Sequence, residues 1–129
     1  MTDTETKDAF DAHTVVWAEI PVTDMARATA FYSAVLEKPL VPDDSGPNPM
    51  AFLPAANDAS VSGHIYPGTP APTGTGSTIH LGVNGSLEAA MDRVSKAGGT
   101  VLSEPITIPF GRFTYCADPD GNSIGLFSA

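Results

Sequence analysis

The sequence predicts an α+β protein of two βαβββ modules around a cleft, and two observations carry that prediction. The chain repeats itself. Thr14–Leu36 reads as a strand, an Asp-capped turn and an amphipathic helix, and Thr78–Gly98 reads as a strand, a Ser-capped turn and a second amphipathic helix. Each repeat then continues into short strand-like runs broken by Gly, Pro and Asp. A duplication of this kind builds a cleft between related half-sheets, which is where small-molecule chemistry commonly sits.

Residues 1–13 are polar, acidic and aperiodic, and read as a flexible N-terminal arm. The remaining 14–129 form one domain, with module one at 14–66, a linker at 67–76 and module two at 77–129. In module one, Val16, Ala18, Ile20 and Val22 share one strand face, and Val15, Trp17, Glu19 and Pro21 share the other. Thr23 or Asp24 caps the following helix, whose apolar stripe is Met25, Ala28, Phe31, Tyr32, Val35 and Leu36 and which Pro39 helps to stop. Leu40–Val41, Met50–Leu53 and Val61–Tyr66 are the next strand candidates. The linker alternates Pro and Gly with small polar residues.

Module two opens with Ile79, Leu81 and Val83 on one strand face and Thr78, His80 and Gly82 on the other. Ser86 is placed as an N-cap, with Leu87, Ala90, Met91 and Val94 as the helix stripe and Gly98–Gly99 as its end. Thr100–Leu102, Phe113–Cys116 and Ser123–Phe127 are the closing strands, the last two joined by a tight turn at Asp118–Asn122.

Composition narrows the function. Hydrophobic residues at 42% with 16% charged is globular, not disordered. Fifteen acidic against six basic residues give a net charge of −9, which disfavours nucleic acid or an anionic membrane as partner. The acidity serves solubility, or steers a cationic ligand. The single Cys116 excludes an intrachain disulfide and a Cys-cluster metal site. No apolar run approaches the roughly 20 residues that span a bilayer. No apolar stretch follows basic residues at the N-terminus, so the expected location is cytoplasmic.

The run from Glu19 through Asp24 to Phe31-Tyr32 and Val35-Leu36, followed by Ala97-Gly98-Gly99 and by Asp118-Pro119-Asp120-Gly121-Asn122 with Ile124-Gly125-Leu126, resembles the vicinal oxygen chelate superfamily. That group comprises glyoxalase I, bleomycin resistance proteins, fosfomycin-resistance enzymes and extradiol dioxygenases. The resemblance covers about Thr14 to Phe127. It implies paired modules forming a U-shaped mixed sheet around the cleft, commonly in a homodimer. The family's metal-ligand positions fall on Trp17, Thr78, Gly125 and, less securely aligned, Gly63. Tryptophan and glycine offer no ligand atom and threonine a poor one, so the resemblance implies no metal at the usual site and no cofactor.

Glu19 and His80 occupy corresponding positions in the two repeats, and pseudo-twofold symmetry brings them towards each other on the cleft side. Such a pair serves as a structural ion pair, as ligand contacts, or as catalytic acid–base apparatus. His64 either decorates an exposed strand or joins them in a two-His-one-carboxylate set suited to a displaced divalent metal such as Fe(II), Mn(II) or Zn(II). Trp17, Phe113, Tyr115 and Phe127 would line the cleft, with Thr78 beside them. The expected function is therefore metal-independent binding of a small organic molecule in an aromatic, acidic cleft. The alternative is a lyase, isomerase or dioxygenase-like enzyme using Glu19 and His80, with or without a displaced metal. Whether the protein is an enzyme is left open by the residues.

Overall fold

Alternation along the first strand sets the architecture. The structure, a computed structural model, describes residues 13–57 and 60–129. The arm expected at 1–13 lies outside them apart from His13, which is exposed. Strand β1, Trp17–Val22, buries Ile20 and Val22 and exposes Trp17 and Glu19 on its opposite face. Helix α1, Met25–Leu36, starts where the Asp24 carboxylate accepts the Arg27 amide at 3.0 Å, satisfying an orphan donor of the first turn. It buries Ala28, Phe31, Tyr32 and Val35, and it ends as Glu37 turns left-handed (φ 56°) ahead of Pro39. Strands β2 (Val41–Asp43), β3 (Met50–Phe52) and β4 (Ser62–Pro67) complete a four-stranded sheet in the order β1-β4-β3-β2. Strand β4 runs parallel to β1 and pairs Trp17 with Ser62 and Glu19 with His64.

The second half repeats the plan. Strand β5 (Ile79–Gly82) leads to helix α2 (Leu87–Lys96), whose cap Ser86 accepts the Ala89 amide at 3.1 Å. Gly98 takes the left-handed conformation (φ 99°), and the Gly99 amide donates back to Val94 at 2.9 Å, closing the helix end. Strands β6 (Thr100–Val101), β7 (Ile106–Ile108), β8 (Gly111–Ala117) and β9 (Ser123–Ser128) follow. The sheet order is β5-β9-β8-β6, with β7 paired to β8 and β5 parallel to β9. The α+β expectation of two strand–helix–strand repeats holds. Strand β7, set between Pro105 and Pro109, was not foreseen, and Leu102 lies just outside β6.

One core joins the halves: Ile20, Phe31, Tyr32 and Ile65 cluster with Leu87, Val94, Ile124 and Leu126, and α1 packs on α2. Burying a side chain of this size contributes about 1.5–3 kcal/mol. A polar clamp crosses the same boundary. The Asp118 carboxylate accepts the Tyr32 hydroxyl at 2.6 Å, the Asp120 and Asn122 amides at 2.9 Å each and Asn122 Nδ2 at 2.9 Å. Asn122 Nδ2 also donates to the Pro21 carbonyl at 2.8 Å, and Asp120 holds Arg27 at 2.9 Å as well as the Thr23 hydroxyl. The turn at 118–122 is thus the fastener between β9 and the end of β1.

Two buried groups make this core sensitive to alkali. Burial pushes the Cys116 thiol up to about 11, and burial, followed by the Asp118 charge, pushes the Tyr32 phenol well above its ordinary range. Below about pH 8.5 both folded and unfolded chains keep the thiol proton, so stability does not change through Cys116. Above it the unfolded chain releases the proton first, and stability falls as pH rises towards 11. Tyr32 extends the loss above about pH 10. The urea midpoint is expected to drop between about pH 8.5 and 10.5, and the first part of that slope to flatten in Cys116→Ala. A pH-independent midpoint would contradict this account.

Candidate functional site

The non-core face of the first sheet carries a chain of contacts around His64. Its imidazole is buried, and Trp17 Nε1 donates to His64 Nδ1 at 2.9 Å. An indole nitrogen only donates, so Nδ1 must accept and is unprotonated; the ring proton of the neutral tautomer sits on Nε2. That nitrogen faces Glu19 Oε1 at 3.2 Å, with the carboxylate largely exposed. Phe52 meets Trp17 and His64 edge-on, at centroid distances of 6.1 and 6.2 Å, and Tyr66 flanks His64 at 6.0 Å.

The second sheet has its own cluster. His80 is exposed and packs edge-on to Phe113 at 5.4 Å and tilted to Tyr115 at 5.9 Å. Phe113 and Tyr115 are T-shaped at 5.3 Å, and Phe127 lies opposite Phe113 in the β8–β9 register. The Thr78 hydroxyl, just ahead of β5, is hydrogen-bonded to Ser123. Glu19 is therefore engaged by His64 on the neighbouring strand, and no ion pair joins it to His80 among the described residues. The two histidines belong to separate clusters. The physical reason is register: β1 pairs with β4, which sets Glu19 against His64, whereas His80 lies on β5 in the other sheet.

The residues at the family's ligand positions do not fit a metal. Trp17 spends its nitrogen on His64, and Thr78 is held by Ser123. Any Cβ on Gly125 would collide with the His80 ring, and one on Gly63 would collide with the Ala18 carbonyl. At Gly63 the obstacle is strand backbone, and at Gly125 it is the exposed His80 side chain. Among the described residues no group of three His, Cys, Asp or Glu is arranged to hold a metal ion.

Where the halves meet, a groove of about 410 Å³ runs between β1 and β5, bordered by Trp17, Ala18, Ser62, Ile79, His80 and Asn84. A second lobe of about 580 Å³ lies against Pro39, Val41 and Phe52, and the two lobes share Trp17, Lys38, Leu53, Pro54, Ala55 and Ser62. Glu19 lines neither; it borders a smaller pocket of about 160 Å³ with Pro21, Asn122 and Ser123. Trp17 lines both lobes and Phe52 the second. No described Asp or Glu lines either lobe. Lys38 and Phe52 carried no signal in the sequence that marked them for this site.

A repeated βαβββ plan with its groove at the seam defines the glyoxalase class of fold, and comparison with known proteins agrees. The glyoxalase/bleomycin resistance protein/dioxygenase superfamily profile matches residues 12–126, and the chain belongs to that superfamily. It is 28% identical over 119 residues to CFP32 of Mycobacterium bovis, a protein with a provisional glyoxylase name. That match covers 88% of this chain but 44% of the relative, so the chain spans less than half of that protein. Among solved structures, a glyoxalase/bleomycin resistance protein from Albidiferax ferrireducens is 25% identical, with a TM-score of 0.66 over 91% of this chain and 99% of that one. A Zea mays glyoxalase I variant shares the fold at 21% identity and a TM-score of 0.65, over 87% of this chain and 44% of that one. No helix among the described residues is long and apolar enough to cross a membrane.

Proposed function

We infer that this protein binds a small, planar organic molecule in the groove between β1 and β5 without a metal, with Trp17 as the stacking surface. The observation that carries the reading is that this groove is lined by an exposed aromatic ring from one half, Trp17, and by His80 from the other, in a family fold whose ligand positions have no metal-binding side chains. Binding without turnover is the simplest use of such a groove. The reading carries with it the cytoplasmic location expected from the sequence. It also includes a homodimer, supported by Leu102, Ile106 and Phe110 on the outer edge of the second sheet, where Phe110 is 80% exposed.

Trp17 is the only tryptophan, so its emission reports the groove directly. Titration with a panel of aromatic metabolites is expected to change Trp17 emission saturably, with the ligand recovered intact by chromatography and the protein sedimenting as a dimer. Protein expressed with Fe, Mn, Ni and Zn available and then desalted is expected to carry far less than one metal per chain. A panel that leaves Trp17 unmoved sinks the reading. A consumed ligand, with turnover lost in Glu19→Ala and His80→Ala, favours the enzyme instead, and near-stoichiometric metal favours a metalloenzyme.

A further inference from the structure

The described lining of the groove is a local exception to the charge of the chain. Fifteen acidic residues give the protein a net charge of −9, yet neither lobe of the groove has a described Asp or Glu in its lining. Among the described residues the Lys and Arg side chains are, with one exception, consumed by carboxylates. Arg27 holds Asp120, Arg93 faces Glu37, Lys96 holds Asp92 and Arg112 holds Glu88. Lys38 is the one described Lys or Arg in no ion pair, and it lines both lobes beside Trp17. Its placement follows from the helix end. Glu37 takes the left-handed conformation and turns to Arg93, and Pro39 fixes the chain beyond, so Lys38 alone of this segment offers a free charge to the groove.

An unpaired lysine and an exposed indole lining one groove together suit planar anions. The ring stacks on a flat ligand, and the ammonium meets a carboxylate at the ligand's edge. A cationic ligand would find no carboxylate among the described residues of the lining and would be repelled by Lys38. Resting on the binding function inferred above, we propose that the ligand is an aromatic carboxylate and that Lys38 is the residue that selects its charge. The net charge of the protein works against such a ligand at long range. That repulsion decays within about 8 Å at physiological salt, so the single cation in contact decides the preference.

The test is a matched ligand series on the full chain: 1-naphthoate, 1-naphthamide and 1-naphthylmethylammonium, with the phenyl and indolyl analogues of each. Binding is read by calorimetry and by the single Trp17 indole N–H resonance. The carboxylate is expected to bind about 5-fold more tightly than the amide, the size of one partly exposed ion pair, and the ammonium most weakly. Lys38→Gln should erase the carboxylate preference while leaving amide affinity unchanged. Lys38→Glu should reverse the order of carboxylate and ammonium. Lys38 is exposed, so both variants are expected to melt as the parent does. If amide and carboxylate bind equally, or Lys38→Gln keeps the preference, the proposal is overturned while the binding function stands. If no member of any series moves the Trp17 resonance, the binding function itself fails and takes the proposal with it.

Discussion

Replacing Asp118 by Ala is expected to lower the unfolding free energy by about 3–5 kcal/mol, the largest effect of any single polar substitution in this chain. The residue is buried, and its carboxylate is the common acceptor for the Tyr32 hydroxyl, two backbone amides and the Asn122 side chain. Removing it leaves the buried Tyr32 hydroxyl and two part-buried backbone amides without their acceptor and takes one of two acceptors from Asn122 Nδ2, and an unmet buried donor costs about 1–3 kcal/mol. Tyr32→Phe removes one donor and keeps the acceptor, so it should cost no more than about 1.5 kcal/mol. Urea unfolding followed by circular dichroism separates the two. An Asp118→Ala loss no greater than that of Tyr32→Phe would show that the clamp does not hold the halves together.

Gly63→Ala is expected to cost about 1–3 kcal/mol and to disturb the aromatic face of the first sheet at the same time. A Cβ on Gly63 would press into the Ala18 carbonyl and lie 3.0 Å from the Ala18 Cβ. Ala18 and Gly63 are paired in the parallel β1–β4 ladder, so relief requires the two strands to part. The adjacent ladder position carries Glu19 and His64, and Trp17 donates to that same His64. The Trp17 indole N–H resonance should therefore shift along with the loss of stability. A variant within 0.5 kcal/mol of the parent, taken as about the scatter of neutral surface substitutions, with an unmoved resonance would refute the strained-ladder account.

The parts of this fold legible in the sequence are those written locally. Strand β1 shows its alternation, Asp24 and Ser86 stand at helix starts, and Gly98–Gly99 mark a helix end, because each signal lies within a few residues of its effect. Strand β7 was hidden because three residues between prolines carry too little periodicity to read. The turn at 118–122 was legible as a turn, but its fastening role was not, since Tyr32 is 86 residues away from Asp118. The same limit applies to the candidate site. Residue pattern placed Glu19 and Trp17 on one face, but left the face of His64 undecided until the parallel register set it opposite Glu19. Symmetry between the repeats suggested His80 as the partner of Glu19, and a hydrogen-bonded neighbouring strand outcompeted a symmetry mate across the seam. Lys38 gave no pattern at all. Its significance emerges only when the other described cations are found to be occupied.

The ends of the two helices differ in a way that reaches beyond either. Each closes on a left-handed residue, Glu37 in the first half and Gly98 in the second, so the residues that follow, Lys38 and Gly99, are counterparts. At Gly99 a Cβ would stand 2.6 Å from the Phe31 ring and 2.7 Å from the Ala117 carbonyl, so the site admits only bare backbone. Lys38 is exposed and is the one charged residue without an ion pair among the described residues of the groove. A symmetrised chain built from two copies of either half would therefore fail in one of two ways. Two first halves would drive a lysine into a packed ring, and two second halves would strip the groove of its cation. The molecule is a heterodimer of halves written on one strand, in which one half has given up a side chain to the interlock and the other keeps it for recognition.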